Sequence, residues 1–396
     1  MVQRLMRRLF LLITALFLLA AAPASAATAW NTSWSAPVSD GGVSFDNQTL
    51  RLVISPHEAG SSIRVTLSNK FGAEPLTIGF ASIAPADDLG RIAGSKVLRF
   101  GTHTTVTIPA GSRAVSDPLA FTVSPFRPVA VDLYLPGHVT RSTRHLFANQ
   151  TSFASPAGSG NLTRSGSVAP FTTQSGSWSF LTSLQVQSSD CNAGTVVTLG
   201  DSLTDGAFSS INQDRRWPDF LQRRLDSAGS SLIVANAGLV GNRLLSDVQF
   251  SGLSALNRLD ADVFGQPRLR GVILLEGIND LLAGHSSAQV IGALTQIRQR
   301  VINRGFPILL GTIPPFTHDF DTYGAVEQQR QQVNTWIRSL PRFIDFDAAL
   351  RWSADPRVLN PTYDSGDHLH PNDQGHTQLA SAVPLPQVKS WQGCVP

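Results

Sequence analysis

Residues 195–203 read Thr195-Val196-Val197-Thr198-Leu199-Gly200-Asp201-Ser202-Leu203. The first five form a short apolar run rich in β-branched residues, too brief for a helix and suited to a strand buried on both faces. The next four interrupt it and set a serine at the strand's carboxyl end. Further short apolar runs follow at 232–235, 271–275, 308–310 and 343–346. Helical periods lie between them. Trp217, Phe220, Leu221 and Leu225 share one helical face; so do Val290, Leu294, Ile297 and Val301, and so do Val333, Trp336, Ile337 and Leu340. Strands alternating with helices predict an α/β fold, a five-stranded parallel sheet with helices on both sides. Ligands of such sheets bind beyond the carboxyl ends of the strands.

Upstream the texture differs. Residues 62–68, Ser62-Ile63-Arg64-Val65-Thr66-Leu67-Ser68, alternate and end at the turn signal Asn69-Lys70-Phe71-Gly72. Residues 129–135 alternate likewise and stop at Pro136-Gly137. Many short strands separated by turn signals predict an all-β sandwich. The Ser-, Gly- and Thr-rich residues 154–177 read as a loop or flexible excursion, with a last strand returning from Trp178. At 396 residues the chain suits two domains: a β-sandwich over 27–190 and an α/β domain over 191–396.

The first 26 residues stand apart. Arg4, Arg7 and Arg8 precede an apolar run over 9–22, and Ala24-Ser25-Ala26 supplies a small-x-small cleavage site. This order predicts a signal peptide over 1–26 and a secreted or periplasmic protein. The run is shorter than the roughly 20 residues of a spanning helix, so no membrane anchor is expected after cleavage. The 31 basic and 28 acidic residues give +3, but cleavage removes three arginines and leaves formal neutrality. Electrostatics therefore give no case for a nucleic-acid partner, and a monomer is expected. The two cysteines, Cys191 and Cys394, bracket the α/β domain. Export and the usual proximity of domain termini predict a disulfide between them.

Four segments fall where the fold places a site. Ser202 can present a hydroxyl and a backbone N–H to one carbonyl, or simply cap a helix. Gly241, in Asn236-Ala237-Gly238-Leu239-Val240-Gly241-Asn242-Arg243, lets a backbone N–H approach a ligand, or is a turn glycine. Asn279, in Gly277-Ile278-Asn279-Asp280, offers a neutral donor to developing negative charge, or is an ordinary loop residue. In Asp367-His368-Leu369-His370-Pro371, Asp367 can orient His370, which then takes the serine proton; His368 reads as structural. Two histidines and an aspartate could also ligate a metal, but no further ligand cluster completes such a site, and no metal or cofactor is expected.

Ser202, Gly241, Asn279 and His370, each after a predicted strand, and the Asp-x-x-His spacing of Asp367 resemble the GDSL or SGNH hydrolase family. The resemblance covers about residues 194–382. Within the family it is similar to secreted bacterial xylanase-associated esterases with an N-terminal β domain; 311–315 and 363–367 fit that subgroup. The run Leu203-Thr204-Asp205 after the serine falls where the family varies. The resemblance implies a flavodoxin-like three-layer αβα domain and a serine esterase. Its catalytic residues would be Ser202, His370 and Asp367, and its oxyanion hole Ser202, Gly241 and Asn279. The implied substrate is a carbohydrate-linked ester, with a lipase, phospholipase or arylesterase as alternatives. A catalytically inactive carbohydrate-binding protein is the alternative of another class. No Gly-x-Ser-x-Gly elbow, Walker loop or Rossmann glycine fingerprint occurs.

Overall fold

A computed structural model describes residues 28–316 and 324–394; the predicted signal peptide lies outside them. No helix among the described residues is long and apolar enough to cross a membrane.

Up to Ser188 the chain is antiparallel β. One sheet contains Ala29–Ser35, Leu181–Ser188, Gly60–Ser68 and Leu119–Val123 in that order. The other runs Thr173–Ser175, Ser152–Ala154, Phe45–Ile54, Val129–Val139, Phe80–Pro85 and Lys96–Val97. Period-two sequence places alternate side chains on the inner faces. Ile63, Val65 and Leu67 from the first sheet thus meet Val131, Leu133 and Leu135 from the second in one core, all fully buried.

The outer face of the second sheet is also covered. Arg51 and Asp132, cross-strand partners, form a buried ion pair, and Arg51 also donates to the carbonyls of Ser165 and Gly90. Phe153 and Phe171 close a small apolar cluster there. The excursion at 154–177 is therefore a packed cover on the sheet; its polar composition hid the buried arginine that holds it.

From Gly194 onward lies a five-stranded parallel sheet. In sequence its strands are Gly194–Gly200, Leu232–Gly238, Leu269–Leu275, Ile308–Gly311 and Phe343–Ile344. In space their order is second, first, third, fourth, fifth, the flavodoxin-like arrangement. Helices Ser287–Asn303 and Ala325–Arg338 pack one face through Val290, Leu294, Ile297, Val301, Val333 and Ile337. Trp217–Ser227 and Asp373–Ala382 cover the other through Trp217, Leu221, Leu225 and Leu379. The fifth strand ends earlier than its apolar run. Asp345 accepts the Ala348 N–H and caps a helix, Phe346–Leu350, so Phe346 is helical and buried.

The two halves touch along their length. Ser35 Oγ donates to the Asn236 carbonyl at 2.9 Å. His57 spans the Val234 carbonyl and the Asp219 carboxylate at 2.8 and 3.0 Å. Cys191 and Cys394 are disulfide-bonded, with Cα atoms 4.7 Å apart.

Candidate active site

Ser202 is the first residue of a one-turn helix, Ser202–Asp205, at the carboxyl end of Gly194–Gly200. Asp201 caps it by accepting the Leu203 N–H at 3.0 Å. Space explains the flanking glycines. A Cβ on Gly200 would come within 2.3 Å of the Leu275 carbonyl, and one on Gly238 within 2.1 Å of the Asp205 nitrogen. Only bare backbone lets the serine turn sit this close to the neighbouring strand ends.

His370 and Asp367 lie on the bend before helix Asp373–Ala382. Ser202 Oγ is 2.8 Å from His370 Nε2, and His370 Nδ1 is 2.5 Å from Asp367 Oδ2. Asp367 Oδ1 accepts the N–H groups of His370 and Leu369 and the Ser365 hydroxyl. Burial raises the Asp367 carboxyl, but the hydrogen bonds from the His370 ring and from these N–H groups outweigh it and hold it below the ordinary aspartate range. A carboxylate so held fixes the imidazole tautomer and leaves Nε2 facing the serine. His368 bonds Asp364 through Nδ1 at 2.6 Å.

Gly241 has φ +72°, in the left-handed region that favours glycine, within the turn after Leu232–Gly238. Asn279 is on the short helix Ile278–Leu282 after the third strand, and its amide donates to the Asn242 carbonyl at 3.0 Å. Asp280 accepts the N–H groups of Leu244 and Leu245 at 2.8 and 3.1 Å. The structure thus joins Ser202, His370 and Asp367 directly, and joins the Gly241 and Asn279 segments through Asn242. Cys191 and Cys394 stand at the ends of the α/β half, outside this constellation.

Several supporting residues gave no sequence signal. The guanidinium of Arg258, 1% exposed, donates to the carbonyls of Gly200 and Ala237 and to Asn242 Oδ1, all within 2.9 Å. It knits the ends of the first two strands to the glycine turn. Asp205 accepts the Val240 N–H at 3.1 Å. Phe208, 57% exposed, stacks on His370 with centroids 5.2 Å apart. Asp201 and Glu276 are fully buried; Asp201 Oδ2 and both Glu276 oxygens lack a hydrogen-bond partner among the described residues. Burial pushes Asp201 up to about 7 against the Leu203 N–H bond, helped by the charge of Asp280, and raises Glu276 well above the glutamate range. A cleft of about 710 Å³ lies between the halves beside Ser35, Gln185 and Asp262 and includes none of the Ser–His–Asp group.

Residues 198–378 match the GDSL-like lipase/acylhydrolase family. No curated protein matches the chain. Among solved structures, a carbohydrate acetylesterase family member from Sinorhizobium meliloti is 20% identical, covering 50% of this chain and 98% of its own, with a TM-score of 0.40. The inhibitor-bound aryl esterase of M. smegmatis is 19% identical over 50% of this chain and 99% of its own, at 0.41. A lipase/acylhydrolase from Enterococcus faecalis is 18% identical over 51% and 98%, at 0.40.

Proposed function

We propose, from the premise of a GDSL-like lipase/acylhydrolase domain across residues 198–378, that the protein is an exported serine esterase acting through an acyl-enzyme. Ser202 attacks an ester carbonyl as His370 takes its proton. The oxyanion is held by the N–H groups of Ser202 and Gly241 and the Asn279 amide. His370 then protonates the leaving alcohol, and water repeats the sequence to release the acid. The observation that carries this reading is the continuous Ser202–His370–Asp367 hydrogen-bond line at 2.8 and 2.5 Å.

The substrate we propose is an acyl group, foremost acetyl, on a carbohydrate. The exposed ring of Phe208 beside His370 offers an apolar face of the kind that receives a pyranose ring. Export follows from residues 1–26, and the disulfide suits an oxidising compartment.

Three experiments test this. A fluorophosphonate probe should label Ser202, and Ser202→Ala should remain folded while losing labelling and ester hydrolysis; retained turnover in that variant sinks the nucleophile. Release of acetate from acetylated xylan, measured beside p-nitrophenyl esters of increasing acyl length and phospholipid, tests the substrate. Mass spectrometry of the exported protein should find Ala27 at its amino terminus.

A further inference from the structure

The β half reaches into the serine turn through one segment, residues 145–151. His145 ends the strand Thr143–His145 and is 2% exposed. Its Nδ1 lies 2.8 Å from the Pro37 carbonyl, and its Nε2 lies 3.0 Å from Asp205 Oδ1 and 3.2 Å from the Phe147 carbonyl. All three partners are acceptors and a neutral ring carries one N–H, so it is the tautomer protonated at Nε2 that donates to Asp205. The Trp178 ring, centroids 5.3 Å away, fixes its plane.

Asp205 divides its carboxylate: Oδ1 takes His145, and Oδ2 takes the Val240 N–H at 3.1 Å. Val240 immediately precedes Gly241. A line of three groups therefore runs from the β half to the backbone of the glycine turn. A second contact braces the other flank. Asn149 Nδ2 donates to the Gly206 carbonyl at 2.5 Å and to Ser209 Oγ at 3.2 Å, and its carbonyl accepts the Asn212 N–H. That frame holds Phe208, whose φ of +65° is uncommon for a bulky residue, against His370.

We infer that His145, acting through Asp205, is a positioning residue that sets the oxyanion turn, so that the β half is part of the esterase's machinery and not an appended module. The inference rests on the esterase reading above, in which Gly241 N–H receives the oxyanion. The physical reason is directional. Asp205 must keep one oxygen on a backbone N–H adjacent to Gly241. Holding its other oxygen to a buried donor removes the freedom to rotate away, and the donors for an oxyanion must be in place before charge develops.

Two near-isosteric substitutions separate this role from simple docking of the halves. His145→Gln places an amide N–H near the Nε2 position and keeps a donor for Asp205. His145→Asn places one near Nδ1 and keeps a donor for Pro37 only. The Asn variant should lose about 10- to 100-fold in kcat on p-nitrophenyl acetate with KM little changed, and slow in fluorophosphonate labelling alike. The Gln variant should stay within about threefold of wild type on the same scale. Asp205→Asn should match the loss, and the His145→Asn/Asp205→Asn pair should lose no more than either alone. Equal losses in the Gln and Asn variants that track thermal stability, or full kcat in His145→Asn, overturn the inference. Native-state hydrogen exchange at the Val240 amide gives an independent reading. Strong protection in the wild type that falls in the Asn variant supports the inference, and a weakly protected amide in the wild type overturns it even where the variants fail to fold. A wild type neither labelled nor active sinks the esterase reading alone, because amide exchange still reports where Asp205 holds the turn.

Discussion

Asn279 shows what one side chain is asked to do. Its amide already donates to the Asn242 carbonyl at 3.0 Å, so its second N–H remains to meet an oxyanion. On the proposed mechanism, Asn279→Ala should lower kcat by about 100- to 1000-fold with KM little altered; unchanged kcat under steady-state assay would contradict the proposed oxyanion role. At this scale the sequence was informative where chemistry sits in short motifs. Ser202, Gly241 and Asn279 each follow a strand, Asp367 and His370 lie on the bend before helix Asp373–Ala382, and all five could be named as candidates. Arg258, Phe208 and Asp205 could not, because their partners are backbone groups and rings brought from 21 to more than 150 residues away. Backbone carbonyls carry no sequence signal.

The helical turn Ser202–Asp205 and the strand ends around it form one element whose fit is steric and electrostatic together. A methyl on Gly238 would meet the Asp205 backbone at 2.1 Å. Gly238→Ala should therefore destabilise by about 1–3 kcal/mol, as overpacking does, and should slow labelling of Ser202 by moving its turn; urea unfolding and probe kinetics check both. Asp201 adds a pH dependence. Its carboxyl, pushed by burial to about 7, keeps a proton in the folded protein that the unfolded chain releases near its ordinary value of 3.8. Its contribution to stability is thus complete below that value and is lost as pH rises to about 7. Asp201→Asn keeps an acceptor for Leu203 and cannot ionise, so its melting temperature should fall less than wild type's between pH 4 and 7. Parallel melting curves for the two proteins across that range would contradict this. Element types were legible from periodicity, as with Ile63, Val65 and Leu67 or Val290, Leu294, Ile297 and Val301. The end of the fifth strand was not, since Phe346 is apolar in either state and the Asp345 cap decided for helix.

Across the whole molecule the disulfide closes a separation of 203 residues. Loop-closure entropy sets its contribution at up to about 4–5 kcal/mol. Cys394→Ser should lower the melting temperature markedly while kcat at 25 °C is retained, because the bridge stands outside the Ser202–His370–Asp367 group. A large fall in kcat without a fall in melting temperature would show that the bridge shapes the site. The halves are further joined by His57 with Asp219 and by His145 with Asp205, both buried. Each cross-contact is a buried hydrogen bond of the kind that contributes about 0.5–1.5 kcal/mol net, so separation is opposed by more than apolar area.

The amino-acid sequence by itself determined the alternation of strands and helices and the change of texture near residue 190, and it singled out five candidate motif residues, because these follow from local periodicity and from chemistry confined to a few adjacent positions. Only the tertiary structure decided that the β half enters the serine turn, that residues 154–177 are a packed cover, and that a buried arginine ties the strand ends together. Those features rest on hydrogen bonds from side chains to groups distant in sequence, and the chain's order carries no record of which distant group a donor will reach.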